Sequence, residues 1–146
     1  MSNTVNMEII SEGFKKAVVR FYFESDGTDG EMVNQVIFNP ATDFNLPIVT
    51  QPNNDAAPPI AKVPNLTILQ AWTSCSWFDI TLGFNGSTPS QELVIARDSD
   101  FYLDFRYFGG IRDRAAVMPT GELIMSTKDF APQGSNGFLV LEFRKD

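Results

Sequence analysis

The chain has no histidine, and Cys75 is its one cysteine. Without imidazole there is no Ser–His or Cys–His catalysis, no imidazole zinc ligand and no imidazole pH switch. One thiol cannot close an intramolecular disulfide, so cysteine usage does not point to an oxidising compartment. In "TSCS" Cys75 has no basic neighbour to activate it, and it reads as a small packing residue. Basic residues are also scarce: 11 Lys and Arg stand against 18 Asp and Glu, a net charge of −7. Nucleic acid is therefore not an expected partner, because phosphate binding needs clustered Lys and Arg. No apolar run approaches the roughly 18 residues of a membrane span, so no membrane partner is expected either. The first residues, "MSNTVNMEII", lack the basic start and apolar core of a signal peptide. The expectation is a protein made in a cytoplasm, in which the sequons at Asn65 and Asn85 are chance matches.

What is present is aromatic. Thirteen Phe, three Tyr and two Trp favour a sheet-rich interior. The 146 residues suffice for one domain with a real core. Apolar residues recur with period two. In "AVVRFYFES", Ala17, Val19, Phe21 and Phe23 form one greasy face. "MVNQVIFN" puts Val33 and Ile37 on one side and Met32, Val36 and Phe38 on the other. "SWFDITLGF" aligns Phe78, Ile80, Leu82 and Phe84. "LTILQAWT", "QELVIAR", "GELIMST" and "GFLVLEFRK" are further strands, and the last has apolar residues on both faces, as if both were covered. Turn signals at Asn85-Gly86, Pro119-Thr120-Gly121 and Ser135-Asn136-Gly137 separate them. The best helix candidate is a short turn at 111–116, "IRDRAA". Short strands and frequent turns predict an all-β, single-domain sandwich or barrel over residues 1–146.

Residues 40–65 break the pattern, with six of the nine prolines. Proline removes ladder donors, so this segment reads as an extended Pro-rich loop or arm rather than a central strand.

"ESDGTDGE" at 24–31 is either an acidic calcium loop or a tight turn. An EF-type loop needs a bidentate Glu at its twelfth position, and counting from Asp26 that position is Ile37. Asp-Gly pairs are strong hairpin formers, so the turn reading is preferred to weak calcium binding. Asp98, Asp100 and Asp104 could supply a glycosidase pair but read better as solvated turn acids. Trp72 and Trp77 could form a carbohydrate platform, though such residues more often anchor cores or interfaces. "FGGIRDR" lacks the spacing of a phosphate loop, and its adjacent glycines suit a sharp bend or a close backbone approach to a partner. No catalytic residue, metal ligand or cofactor is expected.

"VVRFYFESDGTDGEMVNQVIFNP" (18–40), "LTILQAWTSCSWFDITLGFNGST", "DFRYFGGIRDRAAVMPTGELIMST" (104–127) and the closing "GFLVLEFRK" together resemble small structural proteins of tailed-phage virions. The resemblance rests on strand blocks and on the Phe-Gly-Gly and Thr-Gly-Glu turns, not on a catalytic signature. It implies a capsid cement, or decoration, protein with a jelly-roll-like sandwich, on the capsid surface of a virion. The implied partners are the major capsid protein and the chain itself, as a homodimer or homotrimer. A neck, tail or fibre component and a carbohydrate-binding sandwich module are the alternatives. For contacts, the residue types favour Leu46, Ile48, Val49 and Ile60 in the Pro-rich segment, and Tyr107, Arg112 and Arg114 in "RYFGGIRDR".

Overall fold

A computed structural model describes residues 3–28, 30–46, 48–50, 60–62, 65–75, 78–95, 100–114, 120–130 and 135–145. Twelve strands are seen among them: β1 (Thr4–Glu12), β2 (Lys16–Glu24), β3 (Gln35–Phe38), β4 (Ile48–Thr50), β5 (Ile60–Lys62), β6 (Leu66–Cys75), β7 (Asp79–Phe84), β8 (Leu93–Ile95), β9 (Asp100–Asp104), β10 (Ile111–Arg112), β11 (Leu123–Lys128) and β12 (Asn136–Lys145). No α-helix occurs in the described residues. The predicted helical turn at 111–116 is corrected over its described residues, 111–114. Ile111 and Arg112 pair with Ile68 and Thr67 as β10, and the one helical feature among the described residues is a 3-10 turn at Arg106–Phe108 just before it.

The strands form two packed antiparallel sheets, a β-sandwich. The larger has the order β1-β2-β12-β6, with β9 and β10 sharing the far edge of β6 at different registers. The smaller runs β3-β11-β7-β8. The ladders nest: β7 pairs β8, β6 pairs β9, β3 pairs β11 and β2 pairs β12, as successive rungs of one long hairpin. Rolling that hairpin adds the β12–β6 and β11–β7 ladders.

Alternation explains the core. Val19, Phe21 and Phe23 of β2 and Leu139, Leu141 and Phe143 of β12 have no exposed surface, and neither have Ile80, Leu82 and Phe84 of β7. Across the sandwich, Phe38 stacks on Phe143 at 5.4 Å and meets Phe21 edge-on at 6.3 Å. Two expectations fail. Leu123 pairs with Phe38 and Ile124 with Val36, so Ile37 is an extra residue in β3. This bulge turns both Ile37 and Phe38 inward and leaves Val36 exposed, while Val33 is exposed ahead of the strand, before Asn34 at φ +48°. And β12 is buried on one face only, because its outward Phe138 is 45% exposed.

"ESDGTDGE" is a turn-rich link, but not a hairpin, because β2 and β3 belong to different sheets. Gly27 has φ +81°. The Asp26 carboxylate accepts from Thr28 N and Oγ1 at 2.8 and 2.9 Å. Glu31 accepts from Thr127 Oγ1 at 2.7 Å and Phe130 N at 2.8 Å, which ties the link to the smaller sheet. Asp29 lies outside the described residues. The acids with described side chains are thus occupied as turn and link fasteners. Among the described residues, no three His, Cys, Asp or Glu side chains gather to hold a metal ion.

The Pro-rich segment contains a short two-stranded sheet. Ile48 pairs with Lys62, Val49 with Ala61 and Thr50 with Ile60, and neither strand joins the sandwich sheets.

Candidate functional site

At the end of β9 the chain turns sharply. Phe105 N donates to Leu69 O at 2.9 Å and Gly110 N to Phe105 O at 2.9 Å, closing the 3-10 turn against β6. Gly109 and Gly110 then take φ +84° and +90°, which reverses the chain into β10. A Cβ on Gly110 would lie 2.5 Å from Thr67 Cγ2 and 2.9 Å from Ile68 O. The sharp bend expected of this glycine pair is therefore present, and the close approach is to β6 of the same chain.

The turn holds Tyr107 98% exposed and Phe108 69% exposed. Beside it an open hollow of about 830 Å³ is lined by Glu92, Leu93, Phe105, Phe108, Arg112 and Arg114, among others. Arg112 is exposed on β10. Arg114 lies 3.9 Å from Glu92, whose side chain is 9% exposed. Of the three residues singled out in "RYFGGIRDR", Arg112 and Arg114 line this hollow, and Tyr107 stands exposed on the turn beside it.

The residues singled out in the Pro-rich segment divide. Leu46 is held at its root: its N–H donates to Glu12, and its carbonyl accepts from Lys145 Nζ at 2.8 Å. Ile48, Val49 and Ile60 are placed by backbone alone, in the β4–β5 ladder. Register links the Leu46 anchor to the turn surface. Lys145 pairs with Leu66 at the start of β6, and the next residue, Thr67, pairs with Arg112. Leu46 and Arg112 therefore lie toward the same end of the larger sheet.

Of the three clustered acids, Asp98 lies outside the described residues. Asp100 and Asp104 sit at opposite ends of β9, opposite Ser74 and Gln70 of β6. Four steps of strand put their Cα atoms about 13 Å apart. Arg106 donates to both oxygens of Asp104, at 2.9 and 2.8 Å, and holds its carboxyl far below the usual carboxylate range. A carboxyl so firmly ionised cannot serve as a general acid near neutral pH.

Trp77 lies outside the described residues. Trp72 projects from the outer face of β6, 37% exposed, with its ring 5.3 Å from that of Tyr102 and tilted by 30°. Tyr102 donates to Gln70 Oε1, and Gln70 Nε2 donates to Glu142 Oε1 at 2.8 Å. Partial desolvation and the Asp104 carboxylate raise the Tyr102 pKa above the ordinary phenol value. Reading the sequence singled out Trp72 but missed Tyr102, Tyr22 and Phe138, which share this face. Tyr22 alternates with buried Phe21 and Phe23, but only the cross-strand register shows that the four aromatics are adjacent.

No protein-family model and no curated protein matches the chain.

Proposed function

We propose that this protein is a non-enzymatic virion structural protein of the capsid cement type. It binds and stabilises a shell of major capsid protein, and associates with itself as a dimer or trimer on the capsid surface. The observation that carries the reading is the turn at Arg106–Phe108. It exposes Tyr107 and Phe108 on a backbone pinned by hydrogen bonds, next to Arg112 and Arg114. Aromatic residues and arginine on a rigid base are the residue types that dominate interface energies. Many copies placed by capsid symmetry make even a modest contact effective.

The nested hairpin supports the jelly-roll form of the sandwich. Its eight strands β2, β3, β6, β7, β8, β9, β11 and β12 give sheets β2-β12-β6-β9 and β3-β11-β7-β8. Jelly rolls recur in viral capsid proteins and in lectins, so the fold permits this role without choosing it.

Quantitative mass spectrometry of purified particles tests the reading. Copies numbering in the hundreds, of the same order as the major capsid protein, support it. About a dozen copies or fewer would replace it with a neck, tail or fibre role. Absence from particles would overturn the virion role.

A further inference from the structure

The outer face of the larger sheet carries an oblique aromatic band. Tyr22 of β2 is directly opposite Phe138 of β12, and Phe138 is opposite Ser74 of β6. Two residues along β6 from Ser74 is Trp72, itself opposite Tyr102 of β9. Trp72, Tyr102 and Phe138 are 37%, 46% and 45% exposed, and Tyr22 is half-buried. Four adjacent strands at ~4.8 Å spacing give the band a length of about 14 Å.

Polar groups line one long side of the band and are already fixed. Next to Tyr22 and Phe138, Arg20 pairs with Glu8 beside an open hollow of about 550 Å³, which Tyr22 and Phe138 also line. Further along the same side are Gln70, Glu142 and Asp104, held in the Tyr102–Gln70–Glu142 chain and the Asp104–Arg106 pair. Two of the five guanidinium N–H groups of Arg106 are used in that pair, which leaves donors beside the aromatic rings.

The chemistry selects the occupant. The carboxylates of Glu8, Glu142 and Asp104 beside the rings disfavour a protein partner here, because interfaces are depleted in Asp and Glu. Glu8, Glu142 and Asp104 within a chain of net charge −7 disfavour a polyanion. A neutral saccharide matches both components: apolar ring faces lie against the aromatics, and hydroxyls exchange hydrogen bonds with the fixed carboxylates, amide and guanidinium. The 14 Å reach suits an oligosaccharide of several sugars better than one sugar.

We infer that this face, with Trp72 and Tyr102 at one end and Phe138 and Tyr22 at the other, is a binding platform for a neutral oligosaccharide. The inference is independent of the virion reading. A sugar-binding face would serve a capsid protein or a free module equally well.

The test is calorimetric titration of the whole chain with three neutral probes: cellohexaose, maltohexaose and chitohexaose. At least one should bind, with Kd between roughly 10 μM and 1 mM. Trp72→Ala should weaken that binding at least tenfold or so, equivalent to about 1.4 kcal/mol. Phe138→Ala should also weaken it. Val94→Ala, on the exposed edge strand β8 of the other sheet, should leave it unchanged. Far-UV circular dichroism checks that each variant folds. If Trp72→Ala does not fold, Phe138→Ala and Tyr102→Ala take its place. Failure of all three probes to bind the unaltered chain below about 10 mM would overturn the inference. So would equal affinity of the unaltered chain and the folded aromatic variants.

Discussion

Lys145, at the end of β12, has a fully buried side chain. Its ammonium donates to Glu12 at 2.8 Å and to Leu46 O at 2.8 Å, and sits 4.2 Å from the centre of the Phe44 ring. Glu12, 6% exposed in its side chain, also accepts from Asn45 N at 2.9 Å and from Leu46 N. One ion pair therefore joins the end of β1, the end of β12 and the root of the Pro-rich segment. Removing one partner leaves a buried charge uncompensated, which typically costs about 3–5 kcal/mol. Lys145→Met should lower unfolding stability in urea by about that amount, and Glu12→Gln/Lys145→Met should lower it by less. The same pair gives an acid dependence. Burial pushes the Glu12 pKa up, but Lys145 and the two backbone N–H groups outweigh it and set it below 4.5. A carboxyl depressed in the folded state contributes stability above its unfolded pKa and loses it as pH falls through the folded value. Urea midpoints should therefore decline below about pH 4.5. In Glu12→Gln that decline should be shallower, and an identical slope would remove Glu12 as its source.

At the scale of elements, the Gly109-Gly110 bend decides whether β10 can lie on β6. Gly110→Ala imposes both a left-handed φ on a side-chain residue and a Cβ within 3 Å of β6 backbone. The expected cost is about 2 kcal/mol or more in thermal or urea unfolding, because strain and clash add. Hydrogen exchange should quicken first at Ile111 and Arg112, whose ladder with Thr67 and Ile68 depends on the bend. The strands with clean alternation were legible in the sequence, because period two maps directly onto inside and outside. β7 shows this in Ile80, Leu82 and Phe84. β1 was not legible, since an edge strand with Glu8 and Ile10 both exposed carries no inward stripe strong enough to read. β3 was misread because one bulged residue reverses the parity of everything beyond it. The Tyr107, Arg112 and Arg114 surface was legible as residue types on a glycine turn. The aromatic band was not, because Tyr22, Phe138, Trp72 and Tyr102 are neighbours only through three long-range ladders.

At the scale of the molecule, the topology separates the sandwich from the Pro-rich segment. β4 and β5 pair only with each other, whereas the two sandwich sheets share the Phe38–Phe143 and Phe21–Phe38 contacts. The Leu46 anchor precedes β4, so a cut made after it spares the Glu12–Lys145 pair. Replacing residues 48–62 with a short Gly-Ser linker should then leave one cooperative unfolding transition, with Tm lowered by less than about 5 °C. If the Pro-rich segment is an arm that reaches a neighbouring subunit, the same variant should bind particles more weakly. Each copy would then lose one of two contacts, and with it the gain from linking them. Co-sedimentation with purified capsids measures this directly. A variant that melts like the full chain and binds capsids equally well would show that the arm is not a contact. The Tyr107 and Arg112 turn would then have to carry the attachment alone.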